Sequence, residues 1–335
     1  MCDDSGEVYR ATAEAAGAEL VAGHSDAMAA LEVRPEIHPV ETVTLTGRQV
    51  LRGEEAGKPA VLAGVLRLPV SATGRLPAVV LLHGSAGVAE STERWARELT
   101  GIGAATFLLD CFSGRGITSS AADQSQLDAL AMMVDAYRVL GMLARDPRLD
   151  ADRIAVMGFS KGAVGAVYSS NQRFRNRYGP PNAEFAAHIG LYTPCYITYR
   201  EDDRVTGKPM RLFHGTADDY VPVAPCRAYV ERLRKRGVDA TLTEYPGAHH
   251  TYDNFRLSGD GTPVERPQAQ TLRKCQLIEG EDGVILNVKT GQPFDINTDP
   301  CVERGPHVAY DAAAASATLR AVREILITAF RRNEG

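Results

Sequence analysis

The chain has 335 residues, of which 44% are hydrophobic and 24% charged, a composition compatible with one large globular domain. Its 37 basic and 42 acidic side chains give a formal net charge of -5. This balance argues against nucleic acid as the main partner, because phosphate binding depends on clustered Lys and Arg. No apolar run approaches the length of a membrane-spanning helix, so no membrane partner is expected.

The N-terminal region predicts a helical extension. Residues 11–32 are rich in alanine, and we assign residues 1–40 to this extension and residues 41–335 to the main domain. The first ten residues are acidic and lack the apolar core of a signal peptide, so the chain as written predicts a cytoplasmic protein. A periplasmic or secreted protein whose signal peptide had been removed would have the same sequence.

From residue 41 onward, apolar runs typical of strands alternate with stretches of helical periodicity. Strands are predicted within residues 41–47, 61–70, 76–87, 101–116, 153–160, 185–193, 208–219 and 239–250. Helices are predicted within residues 122–145, from Lys161 onward, and within residues 223–237 and 310–332. This alternation favours an α/β fold with a mostly parallel central sheet and helices on both faces. Such sheets bind ligands at the carboxyl ends of their strands.

The segment at about residues 258–306 departs from this alternation, because it is polar and rich in glycine and proline. Within it, residues 275–288 predict a small hairpin. A long excursion of this kind is either a lid over a binding site or a surface decoration, and we favour decoration. The main domain is therefore expected to carry an insertion at this point.

The chain contains six cysteines, and no two of them have the CxxC spacing of a zinc ribbon. Four lie in the C-terminal half. They could form two disulfides in an oxidising compartment or remain free thiols in a cytosolic enzyme, and the sequence leaves both alternatives open. These four residues are Cys195, Cys226, Cys275 and Cys301.

A serine lies between two glycines where an apolar strand passes into a helix, at residues 158–162. Gly158 and Gly162 allow a sharp turn that holds the Ser160 hydroxyl out at the edge of the sheet. The following helix directs backbone N–H groups and a partial positive charge toward the same point. This arrangement is typical of a serine nucleophile beside an oxyanion site, although a serine that only starts a helix would also fit.

A serine hydroxyl needs a base to become nucleophilic, and the base needs an acid that orients it. In folds with this strand–turn–helix element, the chain order is serine, acid, histidine. Asp218 and Asp219 follow one predicted strand, and His249 and His250 follow the next. Asp110 also lies at a strand end, but it precedes the serine, and we interpret it as a residue that shapes the pocket.

Other chemistries find less support in the chain. The His249–His250 pair has no third ligand at a helical or hairpin spacing, so no metal site is expected. The glycine-rich stretch at residues 101–106 lacks the last glycine of a dinucleotide fingerprint, and residues 54–60 lack the hydroxyl of a P-loop. No cofactor is therefore expected.

Five segments together resemble the dienelactone hydrolase family of α/β-hydrolases. They are residues 81–87, 110–116, 158–163, 214–222 and 245–252. The resemblance covers residues 40–256 and resumes at residues 308–326. It implies an α/β-hydrolase fold and an acyl-transfer reaction at a catalytic triad. Because the family's acid follows a Gly-x-x-Asp pattern, and its histidine precedes an aromatic by two residues, the resemblance selects Asp218 and His250, with His249 as the second choice.

The resemblance also suggests roles for residues around the serine. The oxyanion hole would use the backbone N–H groups of Lys161 and Ser85, with the Lys161 ammonium facing water. Arg115 would bind a carboxylate of the substrate. The founding enzymes of the family have a cysteine nucleophile and a glutamate where this chain has Ser160 and Gly84, so their lactone substrate is not carried over.

The sequence therefore predicts a serine hydrolase that cleaves carboxylic esters or lactones through an acyl-serine, with Ser160, His250 and Asp218 as the triad. Two alternatives remain. An amidase or peptidase of the prolyl-peptidase type would use the same triad, and a binding protein would retain the fold without the chemistry. The oligomeric state is open, a homodimer included.

Overall fold

The apolar strands of the chain assemble in a computed structural model that describes residues 33–69, 74–257 and 260–331. The strands are β1 (Val33–Thr44), β2 (Lys58–Pro69), β3 (Leu76–Leu82), β4 (Ala105–Asp110), β5 (Leu149–Phe159), β6 (His188–Leu191), β7 (Ile197–Thr198), β8 (Met210–Gly215), β9 (Ala240–Tyr245), β10 (Val264–Glu265), β11 (Gln270–Thr271), β12 (Leu277–Glu279), β13 (Ile285–Asn287), β14 (Glu303–Arg304) and β15 (His307–Val308). The helices are α1 (Gly47–Leu51), α2 (Glu90–Thr100), α3 (Ala129–Leu143), α4 (Lys161–Tyr168), α5 (Gln172–Tyr178), α6 (Ala224–Lys235) and α7 (Ala312–Ala329). None of these helices has the length and apolar character needed to cross a membrane.

Eight of the described strands form one sheet in the order β1-β2-β4-β3-β5-β6-β8-β9. The six strands from β4 to β9 in that order are parallel, whereas β1, β2 and β4 pair antiparallel at one edge. The predicted α/β fold with a mostly parallel central sheet is therefore confirmed. Helices α3, α4, α6 and α7 follow the predicted positions, while α1, α2 and α5 were not predicted.

The strand β3 shows why these strands read as continuous apolar runs. Its alternate residues Val80 and Leu82 belong to a hydrophobic core that includes residues of α3. Val79 and Leu81 belong to a second core, on the other face, that includes residues of α2 and α7. Full burial of each such side chain contributes about 1.5–3 kcal/mol, so both faces of the strand hold it in the centre of the sheet.

The boundary of the predicted N-terminal extension is wrong. Residues 33–40 are not helical but form the first part of β1, which pairs with β2 along its whole length from Val33–Pro69 to Thr44–Lys58. Residues 1–32, where the rest of the predicted helix falls, lie outside the described residues. Pro35 and Pro39 fit an edge strand, because such a strand has positions whose missing N–H breaks no ladder hydrogen bond.

Residues 260–308 form a small folded unit that we call the cap segment. The predicted hairpin within it is confirmed, since β12 and β13 pair antiparallel, and β12 also pairs with β7. The unit has a hydrophobic cluster of its own, and a disulfide joins Cys275 to Cys301. A second disulfide joins Cys195 to Cys226. All four late cysteines are therefore paired.

Side-chain ion pairs attach the cap segment to the sheet domain. Glu279, at the end of β12, has a fully buried carboxylate. Its two oxygens accept hydrogen bonds at 2.8 Å from both Nη atoms of Arg173 on α5, and further bonds from the Nε and backbone N–H of Arg200. The carboxylate exchanges its water for four donors, which makes it a strong point of attachment.

We expect Glu279→Gln to lower the free energy of unfolding by roughly 2–3 kcal/mol, because charged hydrogen bonds to two arginines are lost at a buried site. Urea unfolding measures the change. Glu303→Gln is the matched control, since Glu303 pairs with Arg273 and Lys274 near the surface, where solvent screens the charges, and its loss should change the free energy of unfolding much less. Equal effects of the two substitutions would contradict the assigned role of Glu279.

Candidate active site

The backbone at Ser160 turns sharply between β5 and α4. Its φ of 50° and ψ of -118° lie in a region that side chains rarely adopt. A Cβ at Gly158 would approach the carbonyl oxygen of Gly162 to 2.2 Å, and a Cβ at Gly162 would lie 2.3 Å from the carbonyl oxygen of Leu82. Both positions therefore require glycine, and the turn presents the Ser160 hydroxyl at the carboxyl edge of the sheet.

His250 lies in the loop after β9 and faces this hydroxyl. Its Nε2 is 3.0 Å from Ser160 Oγ, and its Nδ1 is 2.7 Å from Asp218 Oδ2. Because the carboxylate can only accept, Nδ1 carries the proton and Nε2 is free to accept from the serine. The rings of Tyr192 and Tyr220 contact the imidazole, with centroids 4.7 and 4.6 Å away, and hold its orientation.

Asp218 lies beyond the end of β8 and is fully buried at its carboxylate. Oδ1 accepts hydrogen bonds from the backbone N–H groups of Tyr220 and Val221, and Oδ2 also lies 3.4 Å from His214 Nε2. Burial alone would raise the pKa of Asp218, but the adjacent imidazoles of His250 and His214 lower the pKa to about 2. The group is therefore a carboxylate at neutral pH.

The other candidates for acid and base lie elsewhere. Asp219 turns toward the cap segment, where its carboxylate accepts from the backbone N–H and Nδ1 of His307 and from Arg273. Asp110 accepts the backbone N–H groups of residues 112 and 113 and so stabilises the turn after β4. The Nδ1 atom of His249 is buried and has no hydrogen-bond partner among the described residues.

The two residues predicted to supply the oxyanion donors lie at the same cavity as the serine. Both Ser85 and Lys161 line the cavity above Ser160. The Gly84 carbonyl accepts from His83 Nδ1 at 2.8 Å and from the Gly87 N–H at 3.1 Å. Since the C=O and N–H of a trans peptide point in opposite directions, these bonds direct the Ser85 N–H away from them. Among the described residues, neither amide donates to a backbone acceptor outside regular helices and strands.

The imidazole of His83, which binds the Gly84 carbonyl, has a single tautomer. Its Nε2 accepts the backbone N–H of Cys111 at 3.1 Å, so the proton resides on Nδ1, the atom that donates to Gly84. Burial lowers the pKa of His83, which keeps the ring neutral. A structural histidine thus supports the loop before Ser85.

The expectation that the Lys161 ammonium faces water is wrong. Only 7% of the residue is exposed, and Nζ donates at 3.0 Å to both Ser120 Oγ and the Gln124 carbonyl. Burial lowers the pKa of Lys161 to about 8, although Asp128 and Asp123 oppose the shift. The ammonium therefore belongs to the interior of the site.

The expectation that Arg115 binds a substrate carboxylate is also wrong. Its guanidinium is buried and forms a two-pronged ion pair with Asp135 on α3, at 2.7 and 2.8 Å. The remaining N–H groups donate to Thr44 Oγ1 and to the carbonyls of Cys111 and Val43. All five donors are occupied within the protein, and Arg115 does not line the cavity.

A cavity of about 740 Å³ opens above Ser160. Its walls are largely apolar, and the cap segment forms one of them through residues 270–272, 283–285 and 294–297. The expectation that this insertion is a surface decoration is therefore wrong. Aromatic side chains that no pattern in the sequence indicated also line the cavity: Tyr196, Tyr199, Tyr220 and Phe294.

The sheet order, the turn at Ser160 and the site at the carboxyl edge define an α/β-hydrolase fold. The model of the dienelactone hydrolase family matches residues 62–261, which is more than half of the chain, and the chain belongs to that family of hydrolases. The resemblance noted from the sequence is therefore confirmed.

Known proteins agree at the level of the fold. A dienelactone hydrolase-like promiscuous phosphotriesterase from metagenomic libraries is 17% identical with a TM-score of 0.57, covering 89% of this chain and 99% of its own. The structure named m3DLH is 18% identical with a TM-score of 0.58, at the same coverage. A relative from Caenorhabditis elegans, dipeptidyl peptidase family member 1, is 26% identical over 167 residues, which are 45% of this chain and 19% of the relative.

We expect Arg115→Met to destabilise the fold by about 3–5 kcal/mol, because Asp135 would be left as a buried carboxylate without its cation. Urea unfolding tests this. Arg227→Met is the control, since Arg227 is half exposed in its pair with Glu244 and should cost less than about 1 kcal/mol. A stable Arg115→Met protein that loses turnover of acidic esters alone would restore the anion-binding role.

Proposed function

We propose that the protein is a serine hydrolase that cleaves carboxylic esters or lactones through an acyl-serine intermediate. The observation that carries this proposal is the unbroken hydrogen-bond chain from Asp218 through His250 to Ser160 at the floor of the cavity. A chain of this kind activates a hydroxyl as a nucleophile.

The first half-reaction begins with attack of Ser160 Oγ on the ester carbonyl. His250 Nε2 accepts the serine proton as the new C–O bond forms, and Asp218 stabilises the resulting imidazolium. When the tetrahedral intermediate collapses, the ester C–O bond breaks and the imidazolium gives its proton to the leaving alcohol. The products of this stage are the alcohol and the acyl-serine.

The charge on the tetrahedral oxygen requires donors that are already in position. The backbone N–H groups of Lys161 and Ser85 supply them, the first at the N-terminus of α4, where the helix dipole adds a favourable partial charge. Two such amides facing one point make up an oxyanion hole.

The second half-reaction uses water in place of the alcohol. Water enters as the nucleophile, His250 takes one of its protons, and the acyl-serine is attacked at the same carbonyl. Collapse of the second intermediate returns the proton to Ser160 Oγ and releases the carboxylic acid. With a lactone, the alcohol and the acid stay joined in one product.

The cavity favours apolar substrates. Leucine, isoleucine, valine, tyrosine and phenylalanine supply nearly half of its lining residues, and apolar atoms make up most of its surface. Its volume suits a ligand of several rings or a medium acyl chain. With Arg115 engaged by Asp135, a carboxylate on the substrate has no partner at that position. We therefore infer that the preferred esters are bulky and neutral.

Amide cleavage is the second candidate. The relative named dipeptidyl peptidase family member 1 favours it, although this chain spans about a fifth of that protein. Parallel assays with p-nitrophenyl esters and p-nitroanilides of the same acyl groups separate the two activities. Faster turnover of the anilides would replace the esterase proposal.

The two disulfides favour an oxidising compartment, such as the periplasm or the cell exterior, over the cytoplasm. The expected partner is a small-molecule ester or lactone. A homodimer stays a prediction that native mass measurement can test.

We expect a fluorophosphonate probe to label the protein at Ser160, because the activated hydroxyl attacks phosphorus as it attacks a carbonyl. Ser160→Ala should abolish labelling and lower kcat at least about 10⁴-fold. Ser113→Ala, which changes an exposed serine outside the cavity, is the control and should leave both unchanged. A folded wild-type protein that resists the probe would favour the binding-protein alternative.

Two neighbouring aspartates give a further test of the triad. Asp218→Asn should lower kcat about 10⁴-fold at neutral pH, because an amide in place of the carboxylate allows the wrong tautomer of His250. Asp219→Asn alters only contacts to the cap segment and should change kcat less than about tenfold. Steady-state kinetics on one ester decides between them, and comparable losses for both variants would contradict the assignment of Asp218.

A further inference from the structure

The proposed reaction involves the backbone N–H of Lys161 but not its buried ammonium. Burial of an ammonium is costly unless the charge is compensated. Here Nζ donates to two neutral oxygens, Ser120 Oγ and the Gln124 carbonyl, and it forms no ion pair with a carboxylate of the described residues. The residues that the ammonium contacts indicate what its burial achieves.

Both partners of the ammonium belong to a loop that grips Ser85. The Ser120 N–H donates to the Ser85 carbonyl at 2.8 Å, and the Ser119 hydroxyl donates to the same oxygen at 3.1 Å. Ser85 Oγ donates to Gln124 Oε1 at 3.0 Å. Residues 119–124 thus form hydrogen bonds with both the carbonyl and the hydroxyl oxygen of Ser85. The Lys161 ammonium in turn donates hydrogen bonds to residues 120 and 124 of this loop.

Lys161, the residue after Ser160, connects the two proposed oxyanion donors. The Lys161 backbone provides one amide of the oxyanion hole, and its side chain reaches the loop that holds Ser85, the other amide. On the far side, His83 fixes the Gly84 carbonyl through its Nδ1. The peptide before Ser85 is therefore held by His83, and Ser85 itself is held by residues 119–124. Of these two contacts, the one through residues 119–124 also connects Ser85 to α4, because Lys161 of that helix binds the same loop.

We propose that the Lys161 side chain is a positioning residue that sets the separation of the two amide donors in the oxyanion hole and supports the developing negative charge with its ammonium. This inference rests on the proposed function, since it concerns the same transition state. It assigns one residue two separate roles, a donor through its main chain and a brace through its side chain.

The expected loss in kcat depends on whether an oxyanion donor is removed or only displaced. Deletion of one oxyanion donor costs about 10²–10³ in kcat, whereas a donor that remains present but shifts out of line costs less. We therefore expect Lys161→Met, which retains the amide and the length of the side chain, to lower kcat about 10- to 100-fold. KM should change less than about threefold, because the hole acts on the transition state.

The pH profile gives a second readout. The pKa of Lys161 is lowered to about 8 by burial, so its charge is present below that pH and is lost as the pH rises through it. The titratable groups that influence this site are Asp123 and Asp128, His83, and Tyr220, which hydrogen-bonds to Gln124. Wild-type kcat should fall near pH 8, and this alkaline decline should be missing from Lys161→Met.

The experiment compares wild type, Lys161→Met, Ser85→Ala and the double variant in ester kinetics and in the rate at which a fluorophosphonate labels Ser160. Ser85→Ala keeps the amide but removes the bond to Gln124 Oε1. Because both substitutions remove hydrogen bonds to the same loop, residues 119–124, their effects on kcat should be less than additive. Lys208→Met, at a half-exposed ion pair with Glu184, is the control and should match wild type.

The outcomes separate this inference from the proposed function. Slower labelling and lower kcat in Lys161→Met, with KM retained, support the inference. Wild-type rates in Lys161→Met, or a change confined to KM, overturn it while the hydrolase proposal stands. Failure of the probe to label wild-type Ser160 overturns both. Should Lys161→Met fail to fold, Ser85→Ala carries the test, and its wild-type labelling rate would overturn the inference.

Discussion

The site depends on one constraint, the close approach of two backbone segments at Ser160. The turn places the carbonyl of Gly162 where a Cβ of residue 158 would be, and places Gly162 itself against the end of β3. Only this tight packing brings the start of α4 next to the loop that follows β3. The unusual φ of Ser160 is a consequence, and the surrounding sheet, buried on both faces, provides the rigidity that maintains it.

Charge is distributed around this turn in an ordered way. The Asp218 carboxylate lies behind the imidazole, where two backbone N–H groups and a second histidine keep it ionised. The Lys161 ammonium lies beside residues 119–124, which contact Ser85. In the proposed mechanism, the carboxylate lies beside the imidazole that becomes positive, and the ammonium lies near the loop that carries one of the two proposed oxyanion donors. Low local dielectric increases the effect of both.

The sequence was sufficient for the sheet, because continuous apolar strands are local signals. Strand-end residues narrowed the acid and the base to two candidates each, and the family resemblance then selected Asp218 and His250, which the structure joins to Ser160 by hydrogen bonds. It was not sufficient where the decisive partner is distant in the chain. Arg115 resembled an anion-binding residue until Asp135 on α3 occupied it. The burial of Lys161 depends on a loop about 40 residues earlier that shows no periodic pattern. The polar composition of the cap segment suggested an outer surface, although a few of its apolar residues face the cavity.

The cap segment touches more than the ligand space. Gln270 of β11 accepts the Gln124 N–H at 2.7 Å through its side chain, and its own N–H donates to the Ala121 carbonyl. The cap segment's wall of the cavity is thus hydrogen-bonded to the loop that contacts Ser85. Under the proposed mechanism, substrate range and turnover are therefore coupled in this scaffold. A transplanted cap segment would need an acceptor at position 270 to keep the residue 119–124 loop in place.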